Sequence, residues 1–221
     1  MLTPETLRNI SLFSTTPTEV LSWLCGKAFL RNYEENQPII LQNEPGTTLY
    51  LILEGRVKVV LYGEEGKELV LTILGKGDFF GEMAVVDGLP RSASVIAIEF
   101  SRLLLIQREV FLGLIQRAPE LSLQFMKELS RRLRLADARI ESLALMDVYG
   151  RVARVLRELT LKGGKKKGNE WIVENRPTHQ EIASMAGTTR ESVTRVINDL
   201  IRAGYLRVEG KNLIIQEEFL G

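Results

Sequence analysis

Between Phe80 and Val95 the chain reads FGEMAVVDGLPRSASV. Gly81 leaves the backbone open to close approach, and Glu82 follows it with a carboxylate. Arg91 comes nine residues after Glu82, with Ser92, Ala93 and Ser94 behind it. A guanidinium presents a bidentate fork to phosphate, and short hydroxyls with free backbone N–H groups complete an anion cradle. A carboxylate accepts from a sugar hydroxyl. The stretch therefore offers groups for a sugar and for a phosphate. The same residues also describe a polar surface loop with one arginine, and taken alone the stretch leaves both readings open.

A second cluster lies near the C-terminus. Thr178-His179-Gln180-Glu181 is a capping box opening a short helix to about Met185. Ala186-Gly187-Thr188 is a tight turn, and a second helix runs from about Thr189 to Ala203. Two helices joined by a short glycine-containing turn make a helix-turn-helix candidate. Val193, Val196, Ile197, Leu200 and Ile201 form the buried stripe of the second helix, while Arg190, Glu191, Thr194, Arg195 and Asn198 fall opposite. Arginine pairs with guanine O6 and N7, and a carboxylate accepts from cytosine N4, so this face suits base reading. With Thr188 as cap, Glu191 closes a capping box; with Thr189 as cap, it is free. Arg190 and Arg195 also suit phosphate contacts or plain solvated charges, and His179 a phosphate contact or a surface position.

The elements that must hold these groups follow from pattern. Thr16-Pro17-Thr18-Glu19 reads as a helix start with Thr16 as N-cap, and the helix ends near Cys25, a packing residue. From about Ala28 to Gln107, short apolar runs alternate with glycine. Pro38–Leu41, Thr48–Leu53, Val57–Tyr62, Leu69–Leu74, Ser94–Ile98 and Arg102–Ile106 read as strands, an antiparallel barrel or jelly roll. The irregular piece at 80–92, with a helical turn at Glu82–Val86, suits a pocket floor. After Pro119, Met126, Leu129, Leu133, Ala136, Ile140 and Leu143 recur at spacings of three and four. Such a narrow seam fits a helix pairing with its copy in a second subunit; a helix packed on its own barrel is the alternative. Asp147 caps a further helix, Val148–Leu161. Lys162–Gly168 is a basic, glycine-rich hairpin tip or loop, a candidate for touching DNA phosphates or a partner protein. Tyr205–Val208 and Leu213–Ile215 read as a β-hairpin wing.

Composition narrows the classes. The 221 residues are 45% hydrophobic and 26% charged, enough for one large or two small domains. No apolar run approaches a membrane span, and the N-terminus lacks the pattern of a secretory signal. One cysteine and one histidine argue against a disulfide, a structural zinc site, an iron–sulfur cluster or haem. No carboxylate or histidine cluster at recognisable spacing supports a cyclase or phosphodiesterase, so no catalytic residue, metal or cofactor is assigned. From Gly150 onward the net charge is +4, against −3 before it, a weak pointer to nucleic acid for the C-terminal part.

The whole chain resembles the Crp/Fnr family of bacterial transcription regulators, most closely its cyclic-AMP receptor branch. FGEMAVVDGLPRSASV is similar to the family's phosphate-binding cassette, LSRRLRLADARIESLALMDVYGR to its dimer helix and hinge, and THQEIASMAGTTRESVTRVINDL to its helix-turn-helix. The resemblance implies an α+β chain: a cyclic-nucleotide-binding β-roll at 1–118, a dimerisation helix and hinge at 119–147, and a winged helix-turn-helix at 148–221. It implies a cytoplasmic homodimer that binds a cyclic nucleotide, cyclic AMP foremost, and double-stranded DNA, and that meets RNA polymerase. By residue, it assigns the ribose 2′-OH to Gly81 and Glu82 and the cyclic phosphate to Arg91 and Ser92, with Met83, Ala84 and Ala93 completing the pocket. Arg190, Glu191 and Arg195 read a TGTGA-type half-site, beside His179, Thr189 and Thr194. One departure stands out. Where the branch has Thr then Ser facing adenine, this chain has Ala136 and Asp137; Asp137 can accept from the adenine amino group, or from guanine N1–H and its amino group.

Overall fold

Strand β3 (Thr48–Glu54) sits at the centre of the N-terminal half, and its side chains alternate between two cores. Leu49, Leu51 and Leu53 enter one, and Ile52 enters the other. Adjacent side chains of a strand point to opposite faces, so a strand apolar from Leu49 to Leu53 must be covered on both. The structure is a computed structural model that describes residues 2–63, 66 and 68–220, which leaves the expected outer bounds Met1 and Gly221 outside. The chain forms two compact units, Met1–Arg134 and Leu135–Gly221.

In the first unit, two four-stranded antiparallel sheets make the roll. One has the order β1 (Phe29–Tyr33), β8 (Ser101–Gln107), β3, β6 (Phe79–Phe80). The other has the order β2 (Pro38–Ile40), β7 (Ser94–Ala97), β4 (Val57–Tyr62), β5 (Glu68–Leu74). Tyr33, Ile40, Ile52, Val57, Phe80, Val95 and Leu103 form one core. The other packs β3 and β8 against α1 (Pro4–Arg8), α2 (Thr18–Cys25), α4 (Arg108–Arg117) and the start of α5 (Pro119–Leu145), through Leu7, Leu21, Phe111 and Phe125. Pro119 separates α4 from α5: a residue before proline avoids helical backbone, and Ala118 sits at φ −137°, ψ 76°.

The β reading of this half stands, with differences at its margins. Strands β1 and β6 escape the sequence pattern, because β1 is largely exposed and β6 has two residues. Thr16 is not a cap. The α2 helix begins at Thr18 with Pro17 at the N-cap, and the Thr16 hydroxyl is buried without a partner. Along α5, Leu121 and Phe125 are buried in the unit's own core, and half-buried Leu129 packs partly against it. Met126 and Leu133 remain 54% and 63% exposed.

In the second unit, α6 (Val148–Gly163) starts where Asp147 Oδ1 accepts the Gly150 N–H at 2.7 Å. Of the two readings of Lys162–Gly168, the hairpin holds: α6 runs through Gly163, and Lys165–Lys167 form β9, paired antiparallel to β10 (Glu170–Val173) across a turn that begins at Gly168. The wing strands β11 (Leu206–Glu209) and β12 (Asn212–Gln216) join them in a single sheet of order β11-β12-β10-β9. Between them lie α7 (His179–Ala186) and α8 (Arg190–Arg202), whose Val193, Val196, Ile197 and Leu200 pack on Val152, Leu156, Ile182 and Leu213. Ile201, expected in that stripe, is 38% exposed.

Candidate functional site

The cassette is assembled by the turn from β6 into α3 (Glu82–Asp87) and by the return of the chain to β7. Gly81 is the N-cap of α3, in the left-handed region at φ 77°. A Cβ there would come within 2.6 Å of Arg91 Nη1 and 3.0 Å of the Thr48 carbonyl oxygen. Glycine is thus required both for the backbone angle and for the space. On the return, the Arg91 N–H donates to Glu44 O and the Asn43 N–H donates to Arg91 O, both at 2.9 Å. These bonds fix the Arg91 backbone against the loop between β2 and β3.

The Arg91 side chain is only 6% exposed. Its Nη1 donates to Gly81 O and its Nη2 to Thr48 O, each at 2.8 Å. It stands 5.8 Å from the Tyr50 ring centroid, and Tyr50 stacks on Phe80 at 5.0 Å. Burial pulls its pKa down, with Tyr50 and Glu82 opposing; an arginine keeps its proton through such a shift. Since its hydrogen-bond partners are carbonyls, the positive charge stays available to an anion. Ser92 is the exposed hydroxyl beside it, donating to Met83 Sδ at 3.4 Å, whereas Ser94 Oγ is buried and accepts the Gln42 N–H at 3.0 Å. Ala84 and Ala93 are buried, and Met83 is 52% exposed.

Glu82, buried beside Gly81, is held by a residue whose role the sequence does not reveal. Arg132 of α5 donates from Nη1 to Glu82 Oε1 at 3.1 Å and from Nη2 to Phe79 O at 2.6 Å. It also reaches Glu128 Oε1 at 3.0 Å and lies 4.4 Å from the Phe79 ring centroid. Phe79 in turn stacks on Phe125 at 4.9 Å. The Glu82 carboxylate is therefore tied to the long helix inside the first unit. Ala136 and Asp137 belong to the second unit, and both are exposed.

In the second unit the helix-turn-helix residues come together as expected. Thr178 and Glu181 close the capping box, and Gly187 makes the turn at φ 60°. Thr189 is the cap of α8, accepting the Ser192 N–H at 3.3 Å, so Glu191 is free of capping duty. Arg190, Glu191, Arg195 and Asn198 are exposed. His179 and Thr194 are instead half-buried, with Nδ1 and Oγ1 2.9 Å apart. Arg151 of α6 braces the turn by donating from Nε to Ala186 O at 3.0 Å. This is an exposed, rigidly framed face of mixed hydrogen-bonding character, as base reading needs.

Two family models match the chain: the cyclic nucleotide-binding domain over residues 30–118 and the Crp-like helix-turn-helix domain over residues 150–219. The chain is 32% identical over 213 residues to a CRP-like cAMP-activated global transcriptional regulator of Mycobacterium tuberculosis, covering 96% of this chain and 95% of the relative. The chain belongs to the Crp/Fnr family of transcription regulators. Another member, the cyclic AMP receptor protein of Thermus thermophilus, is 36% identical over 190 residues, covering 86% and 85% of the two chains. Among solved Crp/Fnr structures, the c-di-GMP responsive global regulator CLP of Xanthomonas campestris is similar at a TM-score of 0.79 and 25% identity, covering 90% of this chain and 99% of that one. The catabolite activator protein of Thermus thermophilus is similar at a TM-score of 0.56 and 33% identity, covering 95% and 98%. As a Crp/Fnr member the chain is a DNA-binding transcription regulator with a cyclic-nucleotide-binding domain, not an enzyme. Among the described residues no helix is long and apolar enough to cross a membrane.

Proposed function

We propose that this Crp/Fnr regulator acts as a cytoplasmic homodimer, takes a cyclic nucleotide, cyclic AMP foremost, into the Gly81–Arg91 cradle, and reads a TGTGA-type palindrome through α8. The observation that carries the reading is Arg91: a buried cation whose hydrogen-bond partners are carbonyls, next to a buried carboxylate. Arg91 and Ser92 would take the cyclic phosphate. Glu82 and the Gly81 backbone would take the ribose 2′-OH, with Met83, Ala84 and Ala93 lining the pocket. Because Arg132 bonds Glu82, a sugar hydroxyl arriving there changes the load on a residue of α5. That supplies the differential contact a ligand needs to shift a population.

The working division follows: sensor to residue 118, dimer helix and hinge at 119–147, reading head from 148. The subunit contact would run along α5 through Met126, Leu133, Ala136, Ile140 and Leu143. Leu133, Ile140 and Leu143 are 63%, 65% and 53% exposed, and fully covering such side chains is worth about 1.5–3 kcal/mol each. Leu133→Asp should convert a dimer into a monomer in sedimentation velocity; an unchanged dimer would remove the seam. On DNA, Arg190, Glu191 and Arg195 would meet base edges, while Thr189, Thr194 and His179 would sit at the backbone side. The basic strand Lys165–Lys167, all exposed, is the candidate surface for RNA polymerase.

A second reading concerns the base. Ala136 has no hydroxyl and Asp137 presents two acceptors, which suits guanine N1–H and its amino group as well as the adenine amine. The c-di-GMP responsive regulator of Xanthomonas campestris is a similar chain. A thermal-shift panel of cyclic AMP, cyclic GMP and c-di-GMP, paired with binding to a TGTGA-N6-TCACA duplex with and without each, separates the readings. Stabilisation by cyclic AMP with tighter DNA binding supports the first, and a guanine nucleotide acting alone supports the second. DNA binding indifferent to all three would mean a constitutive regulator.

A further inference from the structure

The chain has one histidine, and its ring is held between the two helices of the reading head. His179 opens α7, and its Nδ1 lies 2.9 Å from Thr194 Oγ1 on α8. The Thr194 hydroxyl has a single proton, and it donates that proton to Arg190 O at 2.9 Å. Its oxygen can then only accept from the ring. Nδ1 is therefore the N–H nitrogen, and in the neutral ring Nε2 carries the lone pair. A lone pair repels a phosphate oxygen, whereas a protonated Nε2 donates to it.

We propose that His179 is a proton-linked phosphate contact of the reading head, its tautomer set by Thr194 so that Nε2 gains a proton when a DNA phosphate arrives. The inference rests on reading α8 as the DNA-facing helix. The charged groups acting on the ring are cationic: Arg176, from the segment leading into α7, and Arg190, in the first turn of α8. On α7 itself, Glu181 is engaged in the capping box with Thr178. From the wing, the Lys211 carbonyl accepts the Arg176 N–H at 2.9 Å. Burial, then Arg176 and Arg190, hold the free ring below its ordinary value of 6.5. A phosphate acts in the opposite direction, so the complex has the higher pKa and binding takes up a proton. Affinity then rises as pH falls through the pKa of the complex, and levels off below the pKa of the free head.

The test uses the full chain with cyclic AMP, a TGTGA-N6-TCACA duplex and a scrambled duplex, between pH 5.5 and 8. A single linked proton allows about a tenfold gain in affinity per pH unit per head. The native chain should show this slope on both duplexes, because phosphate contacts carry no sequence information. His179→Gln should flatten it, and His179→Arg should bind with the acid-form affinity at every pH. A His179→Gln profile as steep as the native one, or a flat native profile, overturns the proposal while leaving DNA binding intact. Absence of binding to either duplex at any pH overturns the DNA reading as well. Independently, the single imidazole is resolved by nitrogen NMR: an Nδ1–H tautomer in the free protein is expected, and an Nε2–H tautomer refutes the Thr194 lock.

Discussion

The pocket and the reading head handle their polar groups in opposite ways. In the pocket, Arg91 and Glu82 are buried and already bonded, Arg91 to Gly81 O and Thr48 O and Glu82 to Arg132. In the head, Arg190, Glu191 and Arg195 stand in solvent while other residues, Thr189, Thr178 and Glu181, secure the helix ends. A guest in the pocket would join an existing network. DNA would meet base-reading side chains that are already solvent-exposed on a helix organised beforehand. That difference suits a sensor, whose binding has to change something, and a reader, whose recognising face has to keep one shape.

The comparison breaks most sharply at Arg91. Arg91→Ala should abolish measurable cyclic-nucleotide binding in calorimetry. It should also lower stability, because the half-buried carbonyls of Gly81 and Thr48 lose their donor. Nucleotide affinity that survives would show that the buried cation is not the phosphate partner. Arg190→Ala probes the other side. It should weaken DNA binding by roughly 1–3 kcal/mol and relax the preference at one guanine, with little change in melting temperature, because an exposed side chain leaves no orphan behind. A loss that is uniform across all sequences would make it a phosphate contact instead.

The smallest effect concerns the frame of the head. The Glu170 carboxylate is held down to about 2 by its hydrogen bonds to Arg207 and Gln216, with Arg207 the larger influence. A carboxyl depressed on folding stabilises the fold above its unfolded value and loses that contribution as pH falls through the folded one. Between pH 4.5 and about 2 the sheet of β9 to β12 should therefore weaken. Glu170→Gln should lessen the acid sensitivity seen by circular dichroism; an unaltered acid profile would show that this exposed network contributes nothing.

Much of this was legible in the residues, for physical reasons that can be named. The strands at Val57–Tyr62 and Leu69–Leu74 declare themselves through apolar runs between glycines. The reading head declares itself through Thr178, Glu181 and Gly187, whose roles are local and so written in adjacent letters. What stayed hidden is long-range. Arg132 reads as one more charge on a polar helix, and its bond to Glu82 spans fifty residues of chain. The bond between His179 and Thr194 likewise joins two helices. Leu129 keeps the spacing of an outward seam, yet packs partly against the core of its own unit, because periodicity gives a face and not the identity of what covers it. Thr16 looks like a cap, but a helix can begin one residue later, at Thr18, when Pro17 already sets the backbone.

Gly46 lies in the loop that the Arg91 backbone clasps, and a Cβ built on it would fall on the Arg91 guanidinium. The seat of the pocket's cation is thus shaped by an absence, a missing methyl group forty-five positions earlier in the chain. Genetically, this makes the effector response a two-letter word: a search for variants blind to their signal should return changes at Gly46 beside those at Arg91, although Gly46 itself has no side chain with which to hold a ligand's charge.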